Sequence, residues 1–326
     1  MKDNAVGQIA DKLNISISTA SKAIRHCSGV DSDTRQSVLD EIRFIKYQPK
    51  SACNIYAIIP DTPQYFWREM REGIRKGREA NAIPVKCNVY THLRDESTVL
   101  AYLDEAEQLN ARAIIISTLV TPKIHDKLHS MTKGRLVLFL SEYHELTNTF
   151  FVGADAYMDG YKMGKRFISQ YAGRTLVSLT IPNDRNISDR FEGFKRALEE
   201  ERSDLLQEMI QIKIDRNIFK DPKLLPSKLA PLLADATKGK ESLCVYTPFG
   251  MSQLPLVFTK AKLAKDTVCM CHDYFADKNE PFITVTCNQD VTRQGELAIE
   301  LASHYVAENN YPAEKINWVP SILNVM

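Results

Sequence analysis

Several features that would point to a membrane, secreted or nucleotide-handling protein are missing from this chain. In 326 residues no apolar run reaches the roughly 18 that cross a bilayer. No basic stretch followed by an apolar core opens it, so no secretion signal is expected. Cysteine is sparse and uneven: seven residues, an odd number, sit scattered through apparent strands and loops. That usage fits a reducing compartment and a cytoplasmic location. Cys269 and Cys271 form a C-x-C without histidines at metal-ligand spacing, and read as strand residues. G-x-G-x-x-G and G-x-x-x-x-G-K-[ST] are both absent, which removes the two common phosphate cradles. G-x-S-x-G and H-E-x-x-H are absent too. The seven histidines are dispersed; His125 and His129, one helical turn apart, read as solvated. Together these absences argue against an enzyme, and neither a cofactor nor a metal is expected.

Net charge is also small. Lys and Arg number 42 against 41 Asp and Glu, for a formal +1. Residues 1–50 hold eight basic against six acidic side chains. Non-specific attraction of that segment to phosphates is therefore modest. Any nucleic-acid affinity there leans on dimerisation and on the placement of Lys2, Lys22, Arg25 and Arg35.

What the chain does have begins with its first 24 residues. Val6, Ile9, Ala10 and Leu13 recur at i, i+3, i+4 and i+7, the apolar stripe of a helix that Asn4 can cap. Asn14 tolerates the left-handed turn that follows. Ser16 then caps a second helix, with Ala20, Ala23 and Ile24 inward and Ile17, Ser18, Thr19, Ser21 and Lys22 outward. A third helix is expected from Ser32, as its cap, to Ile45, packed through Val38, Leu39, Ile42 and Ile45. Three helices with the first two joined by a tight turn form a helix-turn-helix pattern, whose second helix reads the major groove. A small helical cap that binds no DNA is the competing reading.

After Pro49 the pattern changes. Apolar, β-branched runs at Ile55–Ile59, Val85–Tyr90, Ala113–Ser117 and Leu136–Leu140 alternate with amphipathic stretches near 65–80, 95–109 and 122–133. The alternation resumes with strands at Thr175–Ile181, Gln211–Ile214, Leu243–Tyr246 and Thr267–Met270, and helices near 157–171, 189–202, 225–237 and 250–264. Near-continuous apolar strands between helices imply parallel sheets covered on both faces. Two such blocks predict an α/β body of two Rossmann-like lobes, with ligands at the carboxyl ends of the strands.

Several motifs in this order resemble the lactose-repressor family of bacterial transcription regulators. Val6–Ile24, with Ile9-Ala10, Ser16, Thr19, Ser21 and Lys22, is similar to the family's opening motif. Gly29-Val30 to Tyr47-x-Pro49 resembles its third helix and exit. Pro60-Asp61 with Phe66-Trp67 and Gly73 resembles its first cleft loop and helix. Gly153-x-Asp155 with Gly160 resembles the crossing to the second lobe. Ser188-x-Arg190-Phe191-x-Gly193-Phe194 resembles the S-x-R-x-x-G-F motif, and Asn288-Gln289 with Gly295 the return crossing.

The resemblance implies a helix-turn-helix head over residues 1–49, a short linker over 50–54, and a body over 55–326 of the periplasmic-binding-protein type. Its first lobe would take about 55–155 and 289–318, its second about 156–288 and 319–326. It implies a homodimer that binds a double-stranded operator and a sugar-like effector, as a repressor of a carbohydrate operon. Ile17, Ser18, Thr19, Ser21, Lys22 and Arg25 would meet the DNA. Phe66, Arg190, Asp273, Gln289, Asp61 and Thr247 would meet the effector, with His272 a weaker candidate. Surface pairing of Arg190 with Asp189 or Glu192 is the competing reading for that residue.

Two departures from the family pattern stand out. Where the family has Asn-Asp after its strand, this chain reads Tyr246-Thr247-Pro248-Phe249. The effector is therefore left open: a differently shaped sugar, a sugar acid paired with Arg190, or none. Tyr47-Gln48-Pro49 is followed by only Lys50–Asn54 before the first strand, too short for a hinge helix. Major-groove reading with little DNA kinking is expected. A solute-binding protein with a helical interaction head remains the alternative.

Overall fold

The computed structural model describes residues 10, 13, 15–24, 29–31, 34–35, 37–38, 54–60, 65–81, 87–92, 95–182, 184–215, 224–274 and 282–325. The chain divides into two compact units, Met1–Cys53 and Asn54–Met326.

In the first unit the described residues include helix α1 (Ile17–Ile24). Ser16 caps it: its hydroxyl accepts the Thr19 amide at 3.0 Å, and its carbonyl accepts the Ala20 amide at 3.0 Å. The Ile15 amide closes back on the Ala10 carbonyl at 2.9 Å. Ala10, Ala20, Ala23 and Val38 are buried together, with Leu13, Ile15 and Val30 packed against them. Small alanines let these elements approach closely. The expected cap at Ser32 falls one residue earlier. Asp31 accepts the Thr34 amide through its carboxylate at 2.8 Å and the Arg35 amide through its carbonyl. Arg25, Asn14 and the Tyr47-x-Pro49 exit lie outside the described residues.

The second unit is α/β, with two six-stranded sheets. The first holds β1 (Ile55–Pro60), β2 (Cys87–His92), β3 (Ala113–Ile116), β4 (Leu136–Leu140), β5 (Phe150–Gly153) and β11 (Ile316–Trp318). Its order is β11-β5-β4-β3-β1-β2, parallel throughout. The second holds β6 (Thr175–Thr180), β7 (Ile210–Lys213), β8 (Leu243–Thr247), β9 (Val268–His272), β10 (Ile283–Asn288) and β12 (Ile322–Val325). Its order is β12-β10-β9-β8-β6-β7, parallel except where β12 runs against β10.

Helices in chain order are α2 (Tyr65–Ala80), α3 (Glu96–Gln108), α4 (Pro122–Met131), α5 (Ala156–Tyr171), α6 (Arg185–Glu201), α7 (Ser203–Gln207), α8 (Leu224–Ala236), α9 (Leu254–Lys260) and α10 (Val291–Glu308). Carboxylates of Asp95, Asp155, Asp184 and Asp290 cap α3, α5, α6 and α10, each contributing on the order of 1 kcal/mol. The described residues include no helix long and apolar enough to cross a membrane.

Every residue of β1, β3, β4, β8 and β9 is buried, as parallel sheets covered on both faces require. Alternation divides the second lobe into two layers. Val177 and Leu179 pack with Leu229 and Phe258, while Leu176 packs with Phe167, Phe194 and Tyr246 on the other face. Cys269 and Cys271 are buried strand residues of β9.

The chain passes between the sheets three times: between Gly153 and Ala156, between Asn288 and Val291, and between Trp318 and Ile322. In each lobe one pair of helices packs very tightly. A Cβ on Gly193 of α6 would fall on the Tyr157 carbonyl of α5, and one on Gly73 of α2 on the Thr292 carbonyl of α10. Four strands escaped the sequence pattern: β5, β10, β11 and β12. Three of them are only three or four residues long, and β10, ITVTCN, alternates threonine with apolar residues.

Candidate functional site

Arg190, Asp273 and Gln289 come together, and the fold explains how. Asp184 caps α6 four residues earlier than the sequence pattern suggests, its carboxylate accepting the Ile187 amide at 3.3 Å. Arg190 is therefore the sixth residue of α6, well past its first turn, and only 4% exposed. Neither surface partner holds it: Asp189 faces Arg185 at 3.7 Å and Glu192 pairs with Lys195 at 2.7 Å.

Asp273 follows the carboxyl end of β9 in a left-handed conformation, φ 50°, which aspartate adopts more readily than most residues. Its amide donates to the Cys287 carbonyl at 3.1 Å, so the side chain turns away from the ladder. Gln289 follows β10, the next strand.

The three side chains form one network. Arg190 Nη2 donates to Asp273 Oδ2 at 2.6 Å, and Nη1 to the Pro248 carbonyl at 3.1 Å. Gln289 donates to the same carboxylate twice, from its amide nitrogen to Oδ1 at 3.1 Å and from Nε2 to Oδ2 at 2.9 Å. Gln294 Nε2 in turn donates to Gln289 Oε1 at 3.0 Å. Charge-assisted bonds of this kind are the strong ones. Burial works against the guanidinium charge, but the charge and hydrogen bond of Asp273, with Asp159 behind, raise its pKa overall. Arg190 Nε is buried without a hydrogen-bond partner in the structure.

Behind this network lies a buried Tyr–His pair. Tyr246 Oη donates to the Arg190 carbonyl at 3.2 Å and lies 3.1 Å from His272 Nε2. Since the hydroxyl proton goes to the carbonyl, His272 is placed as an Nε2–H donor to Tyr246. Burial, with Arg190 nearby, drives the His272 pKa well below its ordinary value, so the ring is neutral. Asp159, in the first turn of α5, accepts from Ser321 in the third crossing. Burial raises its pKa despite that bond.

Thr247 and Phe66 make no hydrogen bond to this network among the described residues. Thr247 is fully buried, and its hydroxyl donates to the Phe249 carbonyl at 2.6 Å, closing the turn after β8. Phe249 itself packs into the second lobe's core. Phe66 is half-buried against the first lobe's core, edge-on to Trp67 with centroids 5.0 Å apart. Asp61 lies outside the described residues. His125 and His129 are exposed and stacked at 6.3 Å. Among the described residues no group of three His, Cys, Asp or Glu gathers in a way that could hold a metal ion.

Within α1, Ile17 is 61% exposed, and Ser18 and Lys22 are exposed beside it. Thr19 is half-buried, and its hydroxyl shares a hydrogen with that of Ser16 at 2.8 Å. Ser21 is half-buried as well.

Sequence reasoning missed Gln294, Tyr246 and Asp159 as members of the network. Spacing offered a signal for Gln294 and Asp159, which occupy the fourth position of α10 and α5 respectively, each just before a close-packed glycine.

No family model matches the chain, and no curated protein does. Solved structures do match in fold. A periplasmic ribose ABC transporter from Conexibacter woesei aligns with TM-score 0.69 at 14% identity, over 84% of this chain and 93% of its own. A candidate LacI transcriptional regulator from Bacteroides fragilis aligns with TM-score 0.66 at 12% identity, over 84% and 97%. GanP, a glucose-galactose binding protein from Geobacillus stearothermophilus, aligns with TM-score 0.65 at 14% identity, over 84% and 98%. The body is thus a two-lobed, periplasmic-binding-protein-like α/β fold.

Proposed function

We propose that this chain is a DNA-binding regulator whose two-lobed body takes a neutral sugar, and that Arg190, Asp273 and Gln289 anchor it. The observation that carries the ligand reading is this network, gathered where the strands of a parallel sheet end and ligands of such sheets bind. Similarity in fold to a periplasmic ribose ABC transporter, a glucose-galactose binding protein and a solute-binding protein with bound D-allose supports a sugar. The geometry favours a neutral polyol over a sugar acid. Arg190 already pairs with the Asp273 carboxylate, so a second carboxylate brought beside it would meet that negative charge. A hydroxyl pair can instead donate to the remaining lone pairs of the Asp273 carboxylate and accept from Arg190.

For the DNA side, Ile17, Ser18 and Lys22 present one exposed face of α1. Ile17 would contact a thymine methyl, Ser18 a base edge, and Lys22 a phosphate or guanine. Arg25, outside the described residues, is proposed as a further contact to phosphate or guanine. Thr19, its hydroxyl hydrogen-bonded to that of Ser16, and Ser21 would stand at the edge of this face. The unit would act as a homodimer in the cytoplasm, as a repressor with two recognition helices spaced by the bodies.

The test is fluorescence anisotropy on the DNA flanking the chain's own gene, with thermal-shift screening of aldoses and sugar acids. A ligand at 100 times its Kd adds about 2.7 kcal/mol. Lys22→Ala should weaken DNA binding and shrink its salt slope by about one. Affinity that stays micromolar and ignores Lys22→Ala removes the regulator reading. The second reading, a solute-binding protein, is favoured by the transporter components and binding proteins among the similar structures. Sugar binding without DNA binding would select it.

A further inference from the structure

The chain fastens its two lobes at a point away from the crossings. Ser141, after β4, has φ 67° and turns the chain out of the first sheet. Tyr143 follows, braced edge-on by Phe151 with centroids 5.3 Å apart. His144 is held by the Thr118 carbonyl at 3.2 Å and by the Phe139 ring at 5.1 Å. Opposite, Arg185 opens α6 of the second lobe. Its guanidinium lies over the Tyr143 ring, 5.0 Å from the centroid. It stands 3.9 Å from the Glu145 carboxylate and 3.7 Å from Asp189 of its own helix. One residue on, Asn186 Nδ2 donates to the Ser141 carbonyl at 3.4 Å.

We propose that these two segments form a latch, centred on Arg185, which closes the cleft through the chain's own side chains and independently of any ligand. Both halves are built before they meet. The first-lobe half is fixed by Phe151, Phe139 and Thr118, and the second-lobe half starts a capped helix, so closure orders few side chains. A flat, weakly hydrated guanidinium suits this role, since it stacks on a ring and pairs with carboxylates at once. The latch lies at the carboxyl ends of β4 and β6; Arg190 stands on the same helix as Arg185, and Asp273 and Gln289 follow the carboxyl ends of β9 and β10 in the sheet that holds β6. Closure at the latch therefore sets access to that network.

The experiment measures the distance between the lobes in the full chain. Ketone-bearing residues placed at Lys123 of α4 and Lys228 of α8, both exposed, carry spin labels without touching the native cysteines. Pulsed dipolar spectroscopy without sugar should give one narrow, short distance for the parent chain. Arg185→Ala should lower the closed-to-open ratio at least fivefold and add a longer distance. Asn186→Ala should shift it in the same direction by less. Arg185→Lys keeps the charge but loses the flat face, and should restore less than half of the closed fraction.

Arg185 is about half exposed, so an unchanged melting temperature will show that the fold survives. A broad, long distance in the parent chain overturns the latch, as does an Arg185→Ala distribution identical to the parent. Full rescue by lysine overturns the role given to the Tyr143 ring. Because no sugar is present, the result is independent of whether the cleft binds one.

Discussion

Deleting Asp273 from its pair with Arg190 should cost the body at least as much stability as removing both partners. The pair is 2.6 Å apart, with side chains 5% and 16% exposed. Breaking a buried pair by deleting one partner typically costs 3–5 kcal/mol, because the survivor stays charged in a place water barely reaches. Asp273→Asn is the appropriate change, since asparagine tolerates the positive φ that a β-branched or bulky residue does not. Its amide oxygen still accepts one bond, so the cost should sit near the low end, about 3 kcal/mol. Arg190→Met leaves Asp273 with its two donors from Gln289, and should cost less, about 1–3 kcal/mol. The double variant should cost no more than Asp273→Asn alone, a coupling well above the roughly 0.5 kcal/mol scatter of independent sites. Urea unfolding should be followed by circular dichroism as well as fluorescence, because Trp67 and Trp318 both belong to the first lobe. Additive single and double effects would refute the reasoning, as would an Asp273→Asn variant as stable as the parent.

Three further outcomes follow from the same geometry. His272 has a folded pKa well below its unfolded one, chiefly through burial. Its contribution to stability is therefore present above the ordinary histidine value and lost as pH falls below it, by at most about 1.4 kcal/mol per pH unit; His272→Gln should flatten the urea midpoint against pH between 6.5 and 5. Asp159 carries the opposite sign, since burial raises its pKa. Stability should drop as pH climbs from the ordinary carboxylate value through the raised one, and Asp159→Asn should gain on the parent over that window in the same titration. Gly193→Ala must push α6 off α5 at the Tyr157 carbonyl, and overpacking of this kind costs about 1–3 kcal/mol; an unchanged thermal midpoint would mean the helices part freely.

Much of the body was legible because its strands are buried on both faces. Runs such as Leu136–Leu140 and Leu243–Tyr246 have no polar alternation to mistake. The short strands β11 and β12 lack that signal, since both are edge strands with exposed residues such as Trp318 and Ile322. Arg190, Asp273 and Gln289 were legible as separate candidates through motif resemblance and strand-end position. That they satisfy one another was not, because Arg190 and Asp273 stand 83 residues apart and only the β9–β10 pairing brings Gln289 beside them. The local role of Thr247 was not legible either: its hydroxyl, just before Pro248, closes its own turn on the Phe249 carbonyl. The start of α6 was hidden by Pro182, which ends one segment without revealing that Asp184 caps the next.

The two lobes use the same helix pairing and differ in where they place charge. Gly73 is the ninth residue of α2 and Gly193 the ninth of α6; each meets the carbonyl of the second residue of its partner helix, Thr292 or Tyr157. Gly295 and Gly160 are the fifth residues of α10 and α5; each meets the carbonyl of the sixth residue of its partner, Met70 or Arg190. The backbone contact is thus the same, while the side chain at that sixth position is a buried thioether in one lobe and a buried guanidinium in the other. One step before the glycine, Gln294 stands in the first lobe where Asp159 stands in the second. Backbone approach imposes none of these side-chain differences, since it involves only glycine and carbonyl oxygen. Burying a guanidinium costs stability unless it is paired, and Met70 shows that an apolar side chain fills the same position in the other lobe. The buried guanidinium of the second lobe is therefore not imposed by helix packing, which supports the ligand role proposed for Arg190 with Asp273 and Gln289.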